Sequence, residues 1–309
     1  MDELALRPTR CAICGTEGNA TQIYPANFNP RDLNPSVFSA RRLPDRIHYR
    51  IVKCRACGLV RSDPVADSAL LDKLYAQSTF DYEPEVSNLR ATYGRYLGML
   101  DHHRVKKDSL LEIGCGNGFF LEEALARGYR EVRGVEPSEA AVASADPAVR
   151  SRIVCNTMKA GLFPSESFDV ICMFQAFDHI PDPVALLREC CHVLRPGGLA
   201  LLLNHNMNAF SARLLGERSP IIDIEHTFLY TPATMTQMIS SQGLQVRRVG
   251  SVLNRYTLSY LFHLAPLSGG LKNLVLDLLK RTKVGKLPLW APLGNLYVIA
   301  QKPHAAGGD

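Results

Sequence analysis

The sequence has a single tryptophan among its 309 residues and no long apolar run. A membrane-spanning helix needs roughly 18 consecutive apolar residues, and no stretch approaches that length. The first residues, Met1-Asp2-Glu3, are acidic and lack the apolar segment of a secretory signal peptide. We therefore expect a cytoplasmic protein in a reducing compartment, where its nine cysteines act as metal ligands or core thiols rather than as disulfides.

Acidic residues are scarce towards the end of the chain. Residues 243–303 carry nine Lys and Arg but one acidic residue, and residues 1–60 carry nine against five. The middle, residues 61–242, is acidic, with 17 basic against 23 acidic side chains. Two basic ends favour a negatively charged substrate or surface, and ordinary solvated charge explains the first 60 residues equally well.

Repeats and low-complexity tracts are absent too, so periodicity defines the organisation of the chain. Residues 1–62 are rich in turns, and residues 63–107 have a mainly helical pattern that serves as a linker or cap. Residues 108–309 alternate strand and helix, which predicts an α/β fold with a Rossmann-like, doubly wound sheet. Within that region, residues 205–230 look irregular, and residues 205–290 are interpreted as a substrate or lid segment.

Two C-x-x-C-G units begin at Cys11 and Cys54. Their four thiolates, from Cys11, Cys14, Cys54 and Cys57, would make a closed tetrahedral site for a structural Zn²⁺. The 39 residues between the pairs exceed the usual spacing of a zinc ribbon, which indicates an inserted loop. The sequence predicts a small N-terminal zinc ribbon, with disulfides and a redox dithiol as the alternatives.

A G-x-G-x-G turn joins a short apolar strand to a helical pattern after residue 113. Glycine lets the backbone turn tightly and approach a ligand, and the following helix start offers free N–H groups to an anion. One strand later, Glu136 stands at a strand tip, where a carboxylate accepts from both hydroxyls of a ribose. These features predict a nucleotide-type cofactor, and dinucleotide-binding proteins share them.

Five segments in order resemble the class I S-adenosylmethionine-dependent methyltransferases. They are residues 112–118 (EIGCGNG), 134–138 (GVEPS), 167–171 (SFDVI), 179–183 (HIPDP) and 194–199 (LRPGGL). The resemblance implies a seven-stranded sheet whose last strand is antiparallel, with S-adenosylmethionine as cofactor. A Rossmann-like dehydrogenase is the alternative.

The resemblance also assigns cofactor contacts. The set is Glu112, Gly114, Gly116, Gly118, Glu136, Pro137, Asn156 and Gln175. The glycines would lie against the methionine part, together with Gln175, while Glu136 would hold the ribose and Pro137 would pack beside the adenine. Asn156 stands where such families usually have Asp, and its amide oxygen can accept the same bond from the adenine amino group.

A general base is needed if the methyl acceptor is a sugar hydroxyl or a carbon beside a ketone. The pair Glu225-His226 resembles the Glu-His segment of zinc-ribbon-bearing sugar C-methyltransferases, so we expect His226 as base with Glu225 in support. Both can act only if the segment turns, because neighbours on a strand face opposite sides. His179 is a further catalytic candidate, and His205 with Asn206 are candidates for substrate contact. A capping or salt-bridged pair is the alternative for Glu225 and His226.

The segment from Leu258 to Leu289 is apolar and basic, and Leu271, Leu274, Val275 and Leu278 share one helical face. Such a helix can contact an anionic membrane surface or a lipid diphosphate, which predicts a peripheral position at the inner membrane face. A lid, a dimer face and core packing are the alternatives.

The layout is similar to methyltransferases of bacterial surface-polysaccharide assembly. We therefore expect a sugar-containing small molecule or lipid-linked glycan acceptor, phosphate-bearing, with O-methylation slightly ahead of C-methylation. The alternatives are a zinc-ribbon RNA base methyltransferase and a non-catalytic cofactor-binding protein. Nucleic acid is disfavoured because few aromatic residues lie between Cys14 and Cys54.

Overall fold

A computed structural model describes residues 6–29, 33–34, 37, 46–78, 86–264 and 269–304. Its strands are β1 (Leu6–Arg7), β2 (Ala20–Tyr24), β3 (Ile51–Cys54), β4 (Val60–Ser62), β5 (Val65–Ala66), β6 (Ser109–Ile113), β7 (Glu131–Glu136), β8 (Ile153–Cys155), β9 (Phe168–Phe174), β10 (Leu194–His205), β11 (Phe228–Leu229), β12 (Gln245–Ser251), β13 (Asn254–Thr257), β14 (Pro288–Ala291) and β15 (Asn295–Gln301). Its α-helices are α1 (Ser68–Ala76), α2 (Val86–Gly98), α3 (Phe119–Ala126), α4 (Glu139–Ala143), α5 (Pro147–Arg150), α6 (Pro183–Val193), α7 (Phe210–Leu215), α8 (Pro232–Ser241), α9 (Leu258–Leu264) and α10 (Gly269–Thr282).

Seven strands form the central sheet in the order β12-β15-β10-β9-β6-β7-β8. Strands β6 to β10 run parallel, and β15 lies antiparallel between β10 and β12. Every residue of β6 and β9 is buried, as expected for parallel strands covered on both faces. The predicted seven-stranded Rossmann-like sheet with an antiparallel last strand is confirmed.

The two faces of the sheet have separate cores. On one face, α6 and α8 pack Leu187 and Met235 against alternate strand residues such as Ile171. On the other face, α2 and α3 pack Tyr93 and Phe120 against their neighbours along the strands. This alternation follows from the period of two along a strand. Because β6, β7, β9 and β10 run parallel, their carboxyl ends lie at one edge of the sheet.

The N-terminal cysteine segment forms part of a four-stranded antiparallel sheet in the order β11-β4-β3-β2. The strand β11 comes from residues 228–229, so the ribbon takes its edge strand from the predicted lid segment. Cys11 and Cys54 belong to the same buried cluster as α6 and α8. The irregular reading of residues 205–230 is corrected here, because α7 and the two-residue β11 are too short to show a periodic pattern.

Strand β10 begins at Leu194, with a register shift against β9 across the Pro196-Gly197-Gly198 turn. The helical region 63–107 contains α1 and α2, and residues 79–85 of it lie outside the described residues.

The basic tail forms the β13–β14 hairpin and the helices α9 and α10. Of the side chains on α10, Leu271, Leu274 and Leu278 are exposed to 49%, 67% and 60%, so core packing does not explain this face. None of the helices described is both long and apolar enough to cross a membrane.

Candidate cofactor and acceptor site

One cavity of about 2190 Å³ runs along the carboxyl edge of the central sheet. It extends from the tip of β7 at Glu136, past the end of β10 at His205, to Tyr256 and Lys286 of the basic tail. Open α/β sheets bind ligands at this edge because loops follow every parallel strand there. Typical sites for one small molecule measure about 300–1,000 Å³, so this cavity has room for two ligands.

The glycine turn after β6 shapes the cofactor end. Gly114 donates its N–H to Val135 O at 2.8 Å, and Gly116 donates to Glu136 Oε2 at 2.8 Å. Gly114 has φ of 75°, and a Cβ there would lie 2.8 Å from the Cβ of Ala176. The turn therefore requires glycine and fixes the carboxylate of Glu136 at the strand tip.

Glu136 is held through both carboxylate oxygens, since Oε1 accepts from Ser138 N at 2.9 Å. Burial raises the pKa of this carboxyl above its usual 4.5, even though the N–H groups of Ser138 and Gly116 favour the ionised form. Each oxygen keeps a second lone pair, and Glu136 lines the cavity, so the carboxylate can accept from the two hydroxyls of a ribose.

Gln175 lies beyond the end of β9 in the left-handed region, with φ of 55°, which few non-glycine residues adopt. Its Oε1 atom is buried and accepts no hydrogen bond from any described residue. An orphaned amide oxygen in a cavity wall is a place for a ligand donor. Asn156 Oδ1 accepts from Thr157 N at 2.9 Å and has one lone pair left for an adenine amino group.

Three of the predicted contacts are not among the residues that line the cavity. Glu112 is 3% exposed inside β6. Gly118 is the N-cap of α3, and a Cβ there would lie 3.1 Å from the side chains of Val149 and Ile153, so it serves packing. Asn206 accepts from Asn208 N at 2.9 Å and shapes a turn. The predicted residues that do line the cavity are Gly114, Gly116, Glu136, Pro137, Asn156, Gln175, His179, His205, Glu225 and His226.

Residues 87–249 match the family model described as a methyltransferase domain, which is more than half of the chain. The chain belongs to this methyltransferase family. The family supports S-adenosylmethionine as the cofactor, and the predicted residues that would hold it, Glu136, Asn156, Gly114 and Gln175, line the cavity.

Curated relatives carry the names of methyltransferases. The ubiquinone biosynthesis O-methyltransferase of Methylobacterium nodulans is 32% identical over 150 residues, 45% of this chain and 60% of the relative. The enzyme of that name from Parvibaculum lavamentivorans is 34% identical over 113 residues, 34% of this chain and 44% of the relative. The chain therefore spans about half the length of the relatives it matches.

Among solved structures, a SAM-dependent methyltransferase from Aquifex aeolicus superposes with a TM-score of 0.45 at 16% identity. The match covers 76% of this chain and 98% of the other. We therefore assign the fold from the strand order of the central sheet and not from this superposition.

The acceptor side of the domain carries three histidines around one carboxylate, Asp178. His205 Nδ1 donates to Asp178 Oδ2 at 2.6 Å, and His226 Nδ1 donates to Ile221 O at 2.8 Å. The rings of His179 and His205 lie 4.8 Å and 4.5 Å from that of His226. The predicted histidines, far apart in sequence, thus share one site.

Asp178 and Tyr75 are the site residues that the sequence reading missed. Asp178 is 1% exposed, and Tyr75 places its hydroxyl 3.1 Å from His179 Nδ1. Asp178 had a signal, since it precedes His179 directly behind a buried strand. Tyr75 had no signal in the sequence, because its position fits the apolar face of α1.

The surroundings shift the pKa values of Asp178 and His226 in this cluster. Burial alone raises the pKa of the Asp178 carboxyl, but the charge and the hydrogen bond of His205 outweigh burial and hold that pKa well below its usual range. Burial, followed by the neighbouring His205, lowers the pKa of the His226 imidazole below 6.5. At neutral pH an ionised Asp178 therefore lies beside a neutral His226.

The Glu225-His226 pair lies in a turn rather than in a strand, so both side chains reach the cavity. Glu225 N donates to Asp223 Oδ1 and His226 N to Asp223 O, each at 3.1 Å. The condition that both residues can act only if the segment turns is met.

The four cysteines predicted to hold zinc come together. One sulfur from each lies within 4.8 Å of the others, with Cys11 Sγ 3.3 Å from Cys57 Sγ and Cys14 Sγ 3.5 Å from Cys54 Sγ. Zinc–sulfur bonds of about 2.3 Å in a tetrahedron place the sulfurs about 3.8 Å apart, so the group fits the ion.

The two C-x-x-C-G turns have the same geometry. Gly15 N donates to Cys11 O at 2.8 Å and Gly58 N donates to Cys54 O at 3.1 Å, with φ of 71° and 76° at the glycines. The Thr16 hydroxyl lowers the pKa of the Cys14 thiol to about 6, which favours the thiolate that a metal needs.

Proposed function

We propose that the protein transfers the methyl group of S-adenosylmethionine to a hydroxyl oxygen of a sugar-containing, lipid-linked and phosphate-bearing acceptor. The continuity of this cavity carries the proposal, because it joins the Glu136 end to the histidine cluster and then to the basic, apolar tail. A cofactor at Glu136 fills only the first part. An acceptor that fills the rest must be large and must suit both histidines and an apolar wall.

The far end of the cavity has the chemistry of an amphiphile. Tyr256, Tyr260 and Leu261 supply apolar surface, and Arg255 and Lys286 supply positive charge. Sugar hydroxyls can contact the polar cluster while a phosphate lies near the basic residues and a lipid chain lies along the tyrosines. This order of surfaces supports a lipid-linked glycan over a small free sugar.

His205 has the geometry of a general base. With Nδ1–H directed at Asp178, His205 has Nε2 as the atom that can take up a proton, and the residue lines the cavity. His226, predicted as base from the sequence, also has Nε2 as acceptor, but it is 5% exposed. The greater exposure of His205 supports it as the residue that removes the proton, with His226 and Glu225 beside it.

A phenolic hydroxyl on a lipid quinone precursor is the second candidate acceptor. The names of the curated relatives favour it, and the apolar far end of the cavity suits a long isoprenoid chain. A phenol ionises more readily than a sugar hydroxyl, so it depends less on His205.

Contact with an anionic membrane surface completes the proposal. Leu274 and Leu278 of α10 are exposed, and Lys280, Arg281 and Lys283 follow at its end. An exposed apolar stripe beside clustered cations suits a bilayer with anionic headgroups. Such contact would bring the mouth of the cavity to a lipid-linked acceptor.

The deciding experiment supplies methyl-labelled cofactor with separate panels of nucleotide sugars, lipid-linked glycans, quinone precursors and RNA. Label in lipid-linked glycan supports the proposal, and label in quinone precursors alone selects the second candidate. Label in RNA alone contradicts both. Glu136→Ala serves as the cofactor-site control, because its loss of label shows that transfer occurs in this cavity.

A further inference from the structure

Three side chains of types that can bind a metal ion lie together: His179 and His226 line the cavity, and Asp178 is buried beside them. One ligand atom from each lies within 4.8 Å of the other two. His179 Nε2 is 3.8 Å from Asp178 Oδ1, and His226 Nε2 is 4.0 Å from Asp178 Oδ2. Ligands about 2.0–2.1 Å from a zinc-sized ion are about 3.4 Å apart in a tetrahedron and farther apart at wider angles. Small side-chain shifts bring these atoms to that spacing.

Two acceptor atoms of this cluster face each other. His226 Nδ1 donates a hydrogen bond to Ile221 O, so Nε2 of the neutral ring presents a lone pair 4.0 Å from Asp178 Oδ2. Asp178 Oδ1 is buried and accepts no hydrogen bond within the described part of the chain. A cation placed between such groups satisfies both of them.

Each ligand is also held through its other polar atom. Tyr75 Oη lies 3.1 Å from His179 Nδ1, Ile221 O lies 2.8 Å from His226 Nδ1, and His205 Nδ1 lies 2.6 Å from Asp178 Oδ2. Metal sites have such a layer of outer hydrogen bonds, which fixes the tautomer and the orientation of each ligand. The arrangement therefore resembles a pre-organised site rather than three unrelated side chains.

We propose that Asp178, His179 and His226 bind one divalent transition-metal ion that holds the acceptor hydroxyl for methyl transfer. Two imidazoles and one carboxylate suit Zn²⁺ or Fe²⁺ and leave open positions, whereas Mg²⁺ and Ca²⁺ prefer oxygen ligands alone. The role in catalysis rests on the proposed O-methylation. Binding of the ion by the three side chains does not depend on that reaction.

The step balances in atoms and charge. The ion lowers the pKa of the bound hydroxyl, which gives its proton to His205 Nε2. The acceptor oxygen then forms a bond to the methyl carbon, and the methyl–sulfur bond breaks with its electron pair remaining on sulfur. The products are the methyl ether and S-adenosylhomocysteine, and His205 releases its proton to solvent.

Metal counting on the full-length protein tests the site. After loading with Zn²⁺ and removal of free ion, we expect two ions per chain by mass spectrometry, one at the four cysteines and one at this cluster. His179→Gln and His226→Gln should each retain one ion, and the matched control His304→Gln should retain two. One ion in the wild-type protein, or two in both cluster variants, would overturn the proposal.

Cobalt substitution shows whether the cysteine site of each variant is still folded. Cobalt bound to thiolates absorbs strongly in the near ultraviolet, so a retained band shows that the cysteine site of a variant is still folded. We expect His179→Gln, whose residue is only partly buried, to keep this band while it loses the second ion. Loss of the second ion in a variant with an intact band supports the site.

A rate measurement separates this inference from the proposed function. Full turnover in protein that holds only the cysteine-bound ion would overturn the catalytic role of the second ion and leave O-methylation standing. Two ions per chain without transfer to any hydroxyl acceptor would contradict the proposed function and support the metal site.

Discussion

Ser62 Oγ donates a hydrogen bond to the carbonyl oxygen of His226 at 2.8 Å, which ties the cysteine ribbon directly to the acceptor site. Two backbone bonds of 2.9 Å extend the link, from Ser62 N to Thr227 O and from Thr227 N to Asp178 O. The ribbon thus positions the loop that carries His226 as well as stabilising its own segment.

Replacing Ser62 by Ala should cost about 1 kcal/mol, the net value of one buried hydrogen bond. Thermal unfolding should show a fall in Tm of about 2–4 °C. Turnover should fall while cofactor affinity stays constant, because only the loop that carries His226 is displaced. Ser165→Ala, at an exposed hydroxyl, is the control, and equal effects of both substitutions would contradict the link.

Cys54→Ser should abolish zinc binding at the four cysteines and lower the Tm, because the free energy of metal binding contributes to folding of this segment. Because β11 pairs with β4, the variant should also lose methyl transfer. Zinc content, calorimetry and turnover on one preparation check this. A variant that binds no zinc at the cysteines yet keeps full turnover would show that the ribbon is independent of the site.

Glu136→Gln should weaken cofactor binding by about tenfold to a hundredfold, since a hydrogen bond to a charged group contributes about 1.5–3 kcal/mol. Isothermal titration with S-adenosylmethionine measures it, and the exposed neighbour Glu139→Gln should bind normally. Equal affinity in the two variants would place the ribose elsewhere.

Cofactor affinity should also depend on pH through Glu136. Burial raises the pKa of this carboxyl above 4.5, and the ionised form is the better acceptor for ribose hydroxyls. Affinity is therefore complete above the raised pKa and declines as the pH falls through it. Titrations from pH 7.5 downward should show the decline in the wild type and a flatter curve in Glu136→Gln.

His205→Gln should reduce turnover by about 10²- to 10⁴-fold with unchanged cofactor affinity, as expected for loss of a general base. Single-turnover kinetics with saturating cofactor measure the chemical step. An unaffected rate would return the role of base to His226, where the sequence placed it.

Leu274→Glu should weaken binding to vesicles of phosphatidylglycerol about tenfold to a hundredfold, because burying one leucine contributes about 1.5–3 kcal/mol. Flotation assays compare it with Val249→Glu, another exposed apolar position away from α10. Equal binding by the wild type to uncharged phosphatidylcholine vesicles would remove the electrostatic part of the membrane proposal.

Much of this protein could be predicted from its sequence, because some signals are local. Strands β8, β9 and β15 are examples, since a short apolar run between turns specifies each of them. The C-x-x-C-G units and the glycine turn carry their geometry in consecutive residues, so the cysteine site and the Glu136 tip were predictable before any packing was known.

Only the tertiary structure decided how distant residues meet. Asp178 lies beside its chain neighbour His179, His205 at the end of β10 and His226 in the turn before β11, and no periodicity links those positions. The pairing of Phe228 with Arg61 joins the ribbon to the methyltransferase domain through one short strand. The sequence by itself determined the sheet, the cysteine turns and the cofactor edge; long-range packing decided the acceptor site, because its residues are brought together by the sheet and not by the chain.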